Sequence, residues 1–164
     1  MDIVNQTDVV TRNIKYYLDH ENQENGLLED VETIIRSYTN DEPIDTPCVW
    51  INKLETVPYE TNNLSHTQRL KTSYEFVCIE YDEDLETAQD KSENLAARVL
   101  ASILRNFNRI HDKEDDPLRI FLKINLKNMT VGSIPIRGKL DSVPASSVTL
   151  DFIYSIDWLK CRKI

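Results

Sequence analysis

The chain has 164 residues, 40% hydrophobic and 29% charged, which suits one globular domain with a substantial core and is too apolar for a disordered polymer. Its 28 acidic and 19 basic residues give a formal charge of −9, and a field of that sign disfavours broad binding to phosphate backbones or membrane surfaces. No apolar run reaches the ~18–20 residues of a membrane-spanning helix, and Met1–Asp8 has neither the basic start nor the apolar centre expected of a secretion signal.

From Thr7 to Asp19 the apolar positions Val9, Val10, Ile14, Tyr17 and Leu18 recur at three and four. That spacing predicts an amphipathic helix, with Thr7 or Asp8 as its cap. The polar stretch His20–Gly26 ends it. Leu27, Leu28, Val31, Ile34 and Ile35 then share one face of a second, shorter helix. Residues 1–40 are thus expected to form a helical hairpin, and 47–159 a sheet with a long helix.

Pro43 and Pro47 bracket a turn, after which Cys48-Val49-Trp50-Ile51 reads as a strand of β-branched and aromatic residues. Glu55–Ser73 has weak periodicity and carries Pro58, Asn62, Asn63 and His66. Two readings stand open for it, a long loop and an extended hairpin with a polar tip. Tyr74–Tyr81 is apolar on both faces, as a central strand would be.

The acidic run Asp82-Glu83-Asp84 opens the most regular helical pattern. Leu85, Ala88, Ser92, Leu95, Ala96, Val99, Leu100, Ile103 and Phe107 mark one face. Acids at its start with Arg105 and Arg109 at its end suit the helix dipole, and its length is roughly 35 Å. Beyond His111–Pro117, Leu118, Ile120, Leu122, Ile124 and Leu126 alternate with Arg119, Lys123, Asn125 and Lys127, joined there by Phe121. This predicts a half-buried strand. Met129–Ser147 holds Gly132, Gly138, Pro135 and Pro144, with a short strand expected at Ser133–Ile136. In the last strand Val148, Leu150, Phe152, Tyr154, Ile156 and Trp158 face one way, while Thr149, Asp151, Ser155 and Asp157 face the other, interrupted by Ile153. The expected fold is a single α+β domain over 1–164. Its mostly antiparallel sheet has about four to five strands, with the long helix and the N-terminal helical hairpin packed on one face.

Residues placed for chemistry are sparse. His20, His66 and His111 lie far apart, each without a patterned partner. Cys48, Cys78 and Cys161 are odd in number and lack paired spacing, which points to free thiols in a reducing compartment. The run Glu80–Glu86 lacks the glycine and the spaced final glutamate of a calcium loop, and Asp112, Glu114, Asp115 and Asp116 read as a solvated turn. The scattered glycines cannot form a phosphate loop. No catalytic, cofactor or metal residue is therefore expected. Arg69, Lys71, Arg137 and Lys139 lie in irregular segments, where solvated loop charge competes with a patch for an acidic partner. Trp50, Tyr59 and Trp158 are candidate interface anchors, with core packing as the competing fate of the two tryptophans.

The order of elements resembles the tail-terminator (tail-completion) family of tailed bacteriophages and related contractile particles. Three stretches carry it: Pro47-Cys48-Val49-Trp50-Ile51 after an N-terminal helix, the passage from Tyr74–Tyr81 into Leu85–Phe107, and the closing strand Val148–Trp158. The resemblance implies a non-enzymatic subunit without cofactor that forms a ring, commonly six-fold. Such a ring caps the finished tail tube, stops its polymerisation and presents a surface to a head-completion or neck protein. It sits at the head-proximal end of the virion tail after assembly in the host cytoplasm, and DNA passes through without sequence-specific contact. This chain departs from the family in its extra length at the N-terminal helices and at Glu55–Ser73. The rival expectations are another head–tail connector or neck protein, an adaptor for one host protein, and a metal-dependent hydrolase or nuclease built on the acidic runs, with Asp82 and Asp84 as the residues whose change to asparagine would test it.

Overall fold

The computed structural model describes residues 6–36, 45–135 and 142–160. Its elements in chain order are α1 (Gln6–Glu21), β1 (Thr33–Arg36), β2 (Cys48–Pro58), β3 (Thr67–Ile79), α2 (Leu85–His111), β4 (Phe121–Ile134) and β5 (Val143–Asp157), closed by a 3-10 turn at Trp158–Lys160. The strands form one sheet in the order β1-β2-β3-β5-β4. β1 runs parallel to β2, and the other three pairings are antiparallel.

α2 follows from its sequence directly. The Asp84 carboxylate accepts the backbone N–H of Thr87 at 3.1 Å, satisfying one of the donors that a helix start leaves open. Its stripe of Ala88, Leu95, Ala96, Val99, Ile103 and Ile110 is buried against the sheet, and α1 adds Val10, Ile14, Tyr17 and Leu18 to the same core. The sheet contributes alternate residues, among them Val49, Ile51, Tyr74, Phe76, Val148, Leu150 and Phe152. Phe152 is the hub of an aromatic cluster. Its ring lies 4.9 Å from Phe121, 5.5 Å edge-on from Tyr74 and 6.3 Å from Phe76, while Tyr17 of α1 meets Phe121 edge-on at 5.9 Å. These tilted and edge-on geometries suit the ring quadrupoles.

The structure corrects the expected second N-terminal helix. Residues 27–30 form turns, and Ile34 and Ile35 enter strand β1 opposite Val49 and Trp50. The turn is held by polar side chains left over from the end of α1. Asn22 donates to the carbonyls of Leu28 (2.6 Å) and Val31 (2.9 Å), and the Glu21 carboxylate accepts the N–H of Leu27. Gly26 sits so close to Glu21 that a Cβ would fall 2.0 Å from its carbonyl oxygen, so the chain bends where only glycine fits. The backbone bonds that a helix would make internally are made instead with β2.

Glu55–Ser73 takes the hairpin reading. β2 continues to Pro58 and β3 starts at Thr67, with a bulge between Lys53 and Glu55. The last two strands are also longer than the alternation predicts, and β4 differs in phase. Phe121 is 2% exposed and belongs to the core, while Leu122 is 46% exposed. The cause is a register shift between Phe121 and Lys123, followed by another between Leu126 and Asn128. Each extra residue in a bulge moves the following side chains to the opposite face. The short strand expected at Ser133–Ile136 is the end of β4 as far as Ile134; residue 136 lies outside the described residues.

Because Phe152 joins three strands and, through Phe121, α1, truncation at this point leaves a cavity that its neighbours cannot fill. Phe152→Ala should cost about 3–5 kcal/mol of folding stability, read as a lower urea midpoint with an unchanged slope.

Candidate docking surface

Antiparallel pairing places residues that stand opposite one another on one side of the sheet. Ile124 and Leu126 face Phe152 and Leu150, whose side chains are in the helix-covered core. After the second bulge Met129 faces Val148 and Val131 faces Ser146, so they continue that side. α2 lies above β5 and presents Leu100, Ile103, Leu104 and Phe107 toward β4. With Ile124, Leu126 and Leu150 these enclose an apolar groove of about 260 Å³. Beyond it the helix layer stops. Leu104, Leu126, Met129 and Val131 are 49–57% exposed, a strip of large apolar side chains of the kind that marks protein contact sites.

β4 is also the edge of the sheet. Its 14 residues pair with β5 on one side and with no described strand on the other. An edge of this length offers a row of backbone donors and acceptors to another chain. Its charge is unlike that of the whole molecule. Arg119, Lys123 and Lys127 are exposed there, and residues 117–135 contain no acid. None of the three cations forms an ion pair with another described residue. At the end of the groove the His111 ring stacks on Phe107 at 4.9 Å.

The other sheet face is different in character. Near one end Cys48, Trp50, Val77, Ile79, Val143 and Ala145 form a small buried cluster. Farther along, polar side chains take over, and Ser73 donates to Asp151 at 2.5 Å.

The residues expected at an interface scatter. Trp50 is 5% exposed within the small cluster, which is the core-packing fate and not the interface one. Tyr59, Arg69, Lys71 and Trp158 do come together at the far end of the β2–β3 hairpin. Tyr59 donates its N–H to the Arg69 carbonyl, and Lys71 stands opposite Val57 and Ile153. The Trp158 indole donates to Gln68 at 3.2 Å and keeps 40% of its surface exposed. Arg69 faces Glu60 at 3.5 Å, so its charge is partly answered within the chain. Arg137 and Lys139 lie outside the described residues, and with them any convergence of all four cations. Leu104, Met129 and Val131 were not singled out by periodicity. The available signal was compositional, because Pro117–Leu140 carries five cations and no acid in a chain of charge −9.

The acidic run before α2 has structural partners. Lys91 bonds Asp82 at 2.9 Å and holds its carboxyl below the ordinary range, and Asp84 is the helix cap. Arg98 does the same for Asp30. Among the described residues no group of three or more His, Cys, Asp or Glu side chains is placed to hold a metal. His20 stacks on Tyr16, and His66 lies 3.7 Å from Asp157. No model of a known protein family matches the chain, and no curated protein is similar to it.

Cys48 and Cys78 are buried free thiols. Burial pushes Cys48 up to about 12, and Cys78 higher still. In the unfolded chain each would lose its proton near the ordinary value of 9.0. Their contribution to stability is therefore complete below that pH and falls as pH rises through it toward the folded value. In a Cys161→Ser background, Ellman's reagent at pH 8 should leave both thiols unmodified until denaturant is added, and the urea midpoint should drop between pH 8 and pH 10.

Proposed function

We propose that this chain is a structural subunit that acts by protein–protein contact and not by catalysis. Copies close into a ring, six-fold as in the tail-terminator family that the sequence resembles. The ring caps a phage tail tube, stops its growth and presents a surface to a head-completion or neck protein at the head-proximal end of the virion. The observation that carries this reading is the long β4 edge beside an uncovered apolar groove and strip. A monomer with such an edge is liable to aggregate unless something occupies it, and a stable subunit contact needs about 800 Å² per partner. The hairpin end with Tyr59, Lys71 and Trp158 is a second candidate contact, suited to the tube or neck. It has exposed Leu64 and Leu159 beside it.

Light scattering and negative-stain microscopy of the purified chain should show a closed annulus, either free or on a tail-tube template. Leu104→Glu combined with Leu126→Glu should weaken association about 30-fold or more, the weight of a ~2 kcal/mol interface anchor. Both side chains are already exposed, so the circular dichroism spectrum should not change. A chain that stays monomeric at high concentration and never rings on a tube sinks the reading. Particles made without the protein distinguish its roles, because overlong tails mark a terminator and free tails of normal length mark a connector or neck subunit.

A further inference from the structure

We infer that the β4 edge receives the opposite edge of a second copy, so that β1 of one subunit pairs with β4 of the next. The inference rests on the ring reading and deepens it by naming the two surfaces that meet.

Topology supplies the first argument. Following the pairings across the sheet, β1 and β2 run one way, β3 the other, β5 back again and β4 against it. β1 and β4 therefore run in opposite directions. When a neighbouring copy continues the sheet with the same face toward the helices, its β1 meets β4 antiparallel, the slightly more stable ladder. That arrangement also extends the helix layer. α1 packs beside α2 and β1, so the neighbour's α1 arrives on the side where Leu104, Leu126, Met129 and Val131 are left uncovered.

Charge supplies the second argument, and it selects this partner over the obvious alternative. Two β4 edges could pair about a two-fold axis. Full-length antiparallel overlap of Phe121–Ile134 with itself centres on Lys127 and Asn128, which gathers Lys123 and Lys127 of both copies along one seam that contains no acid, so like charges meet without a counter-charge. The β1 edge has the opposite sign. Glu29, Glu32 and Asp45 are exposed around it and form no ion pair with another described residue, and Arg36 is the cation on the strand. Asp45 is close by, since its carbonyl accepts the Thr33 hydroxyl at 3.0 Å. A basic edge and an acidic edge on one chain complement each other head to tail. They repel when like meets like, which steers encounter and rejects the two-fold dimer.

The test is a charge swap in the full chain, followed by light scattering at low salt. Lys123→Glu with Lys127→Glu makes both edges acidic, and Glu29→Lys with Glu32→Lys makes both basic. Each double variant alone should associate roughly tenfold more weakly or worse, and an equimolar mixture should recover wild-type assembly. Raising the salt concentration should weaken the wild type and the mixture alike. If Glu29→Lys/Glu32→Lys assembles as well as the wild type, β1 is not the partner and the assignment is wrong. A mixture of folded variants that stays dispersed overturns it equally. Should a reversal unfold the chain, the neutral pairs Lys123→Gln/Lys127→Gln and Glu29→Gln/Glu32→Gln replace it, each expected to weaken assembly severalfold, with unchanged assembly overturning the assignment. Rings that persist in every variant remove this edge pairing and leave the ring reading standing. A wild type that never forms rings removes both.

Discussion

A layer of two helices cannot cover a sheet of five strands. Packed helices lie about 10 Å apart and paired strands about 4.8 Å apart, so two helices shield about four strands. Here α1 and α2 bury the helix-side residues of β2, β3, β5 and the start of β4, and the shortfall falls on β4 from Leu126 onward. That one mismatch produces the groove beside α2, the exposed apolar strip and the open edge. The surface assigned to docking is thus a consequence of how the core is closed.

The core itself is closed by a small number of connected contacts. Phe152 ties β3, β4 and β5 together, and Tyr17 reaches that cluster from α1. Two pairs of hydroxyl groups carried into the interior satisfy each other. Thr11 and Tyr74 share a hydrogen bond of 2.8 Å, as do Thr72 and Tyr154. The buried Glu21 carboxylate joins Leu27, Asn106 and Arg105, linking the end of α1 to α2 and to the turn before β1. A buried carboxylate is tolerable only with several such partners. Those bonds set the path by which the chain leaves α1, and so put β1 at the sheet edge.

The acid-free stretch bears on function through location. Five cations without an acid in Pro117–Leu140 would be unremarkable in a loop. Three of them instead mark the approach to β4 and its first half, at the place where the sheet lacks a neighbour, while exposed acids gather around β1 at the other side. Net charge keeps the molecule soluble. Its uneven distribution is what can make copies attract in one orientation.

Local spacing alone determined the elements whose side chains meet a single, continuous environment. The stripe from Ala88 to Ile110 finds the sheet along its whole length, and the alternation from Val148 to Ile156 finds helices on one side, so periodicity reported both faithfully. Leu27–Ile35 could not be read this way, because five apolar residues at helical spacing fit a short strand equally well. The free edge of β2 and the anchor at Asn22 and Glu21 decided between them. The phase of β4 was hidden for a related reason. Bulges are set by the partner strand, so only pairing with β5 put Phe121 inside and Leu122 outside. The groove was the least legible feature of all. It is a place where packing ends, and a linear pattern records which residues are apolar without recording which of them run out of neighbours.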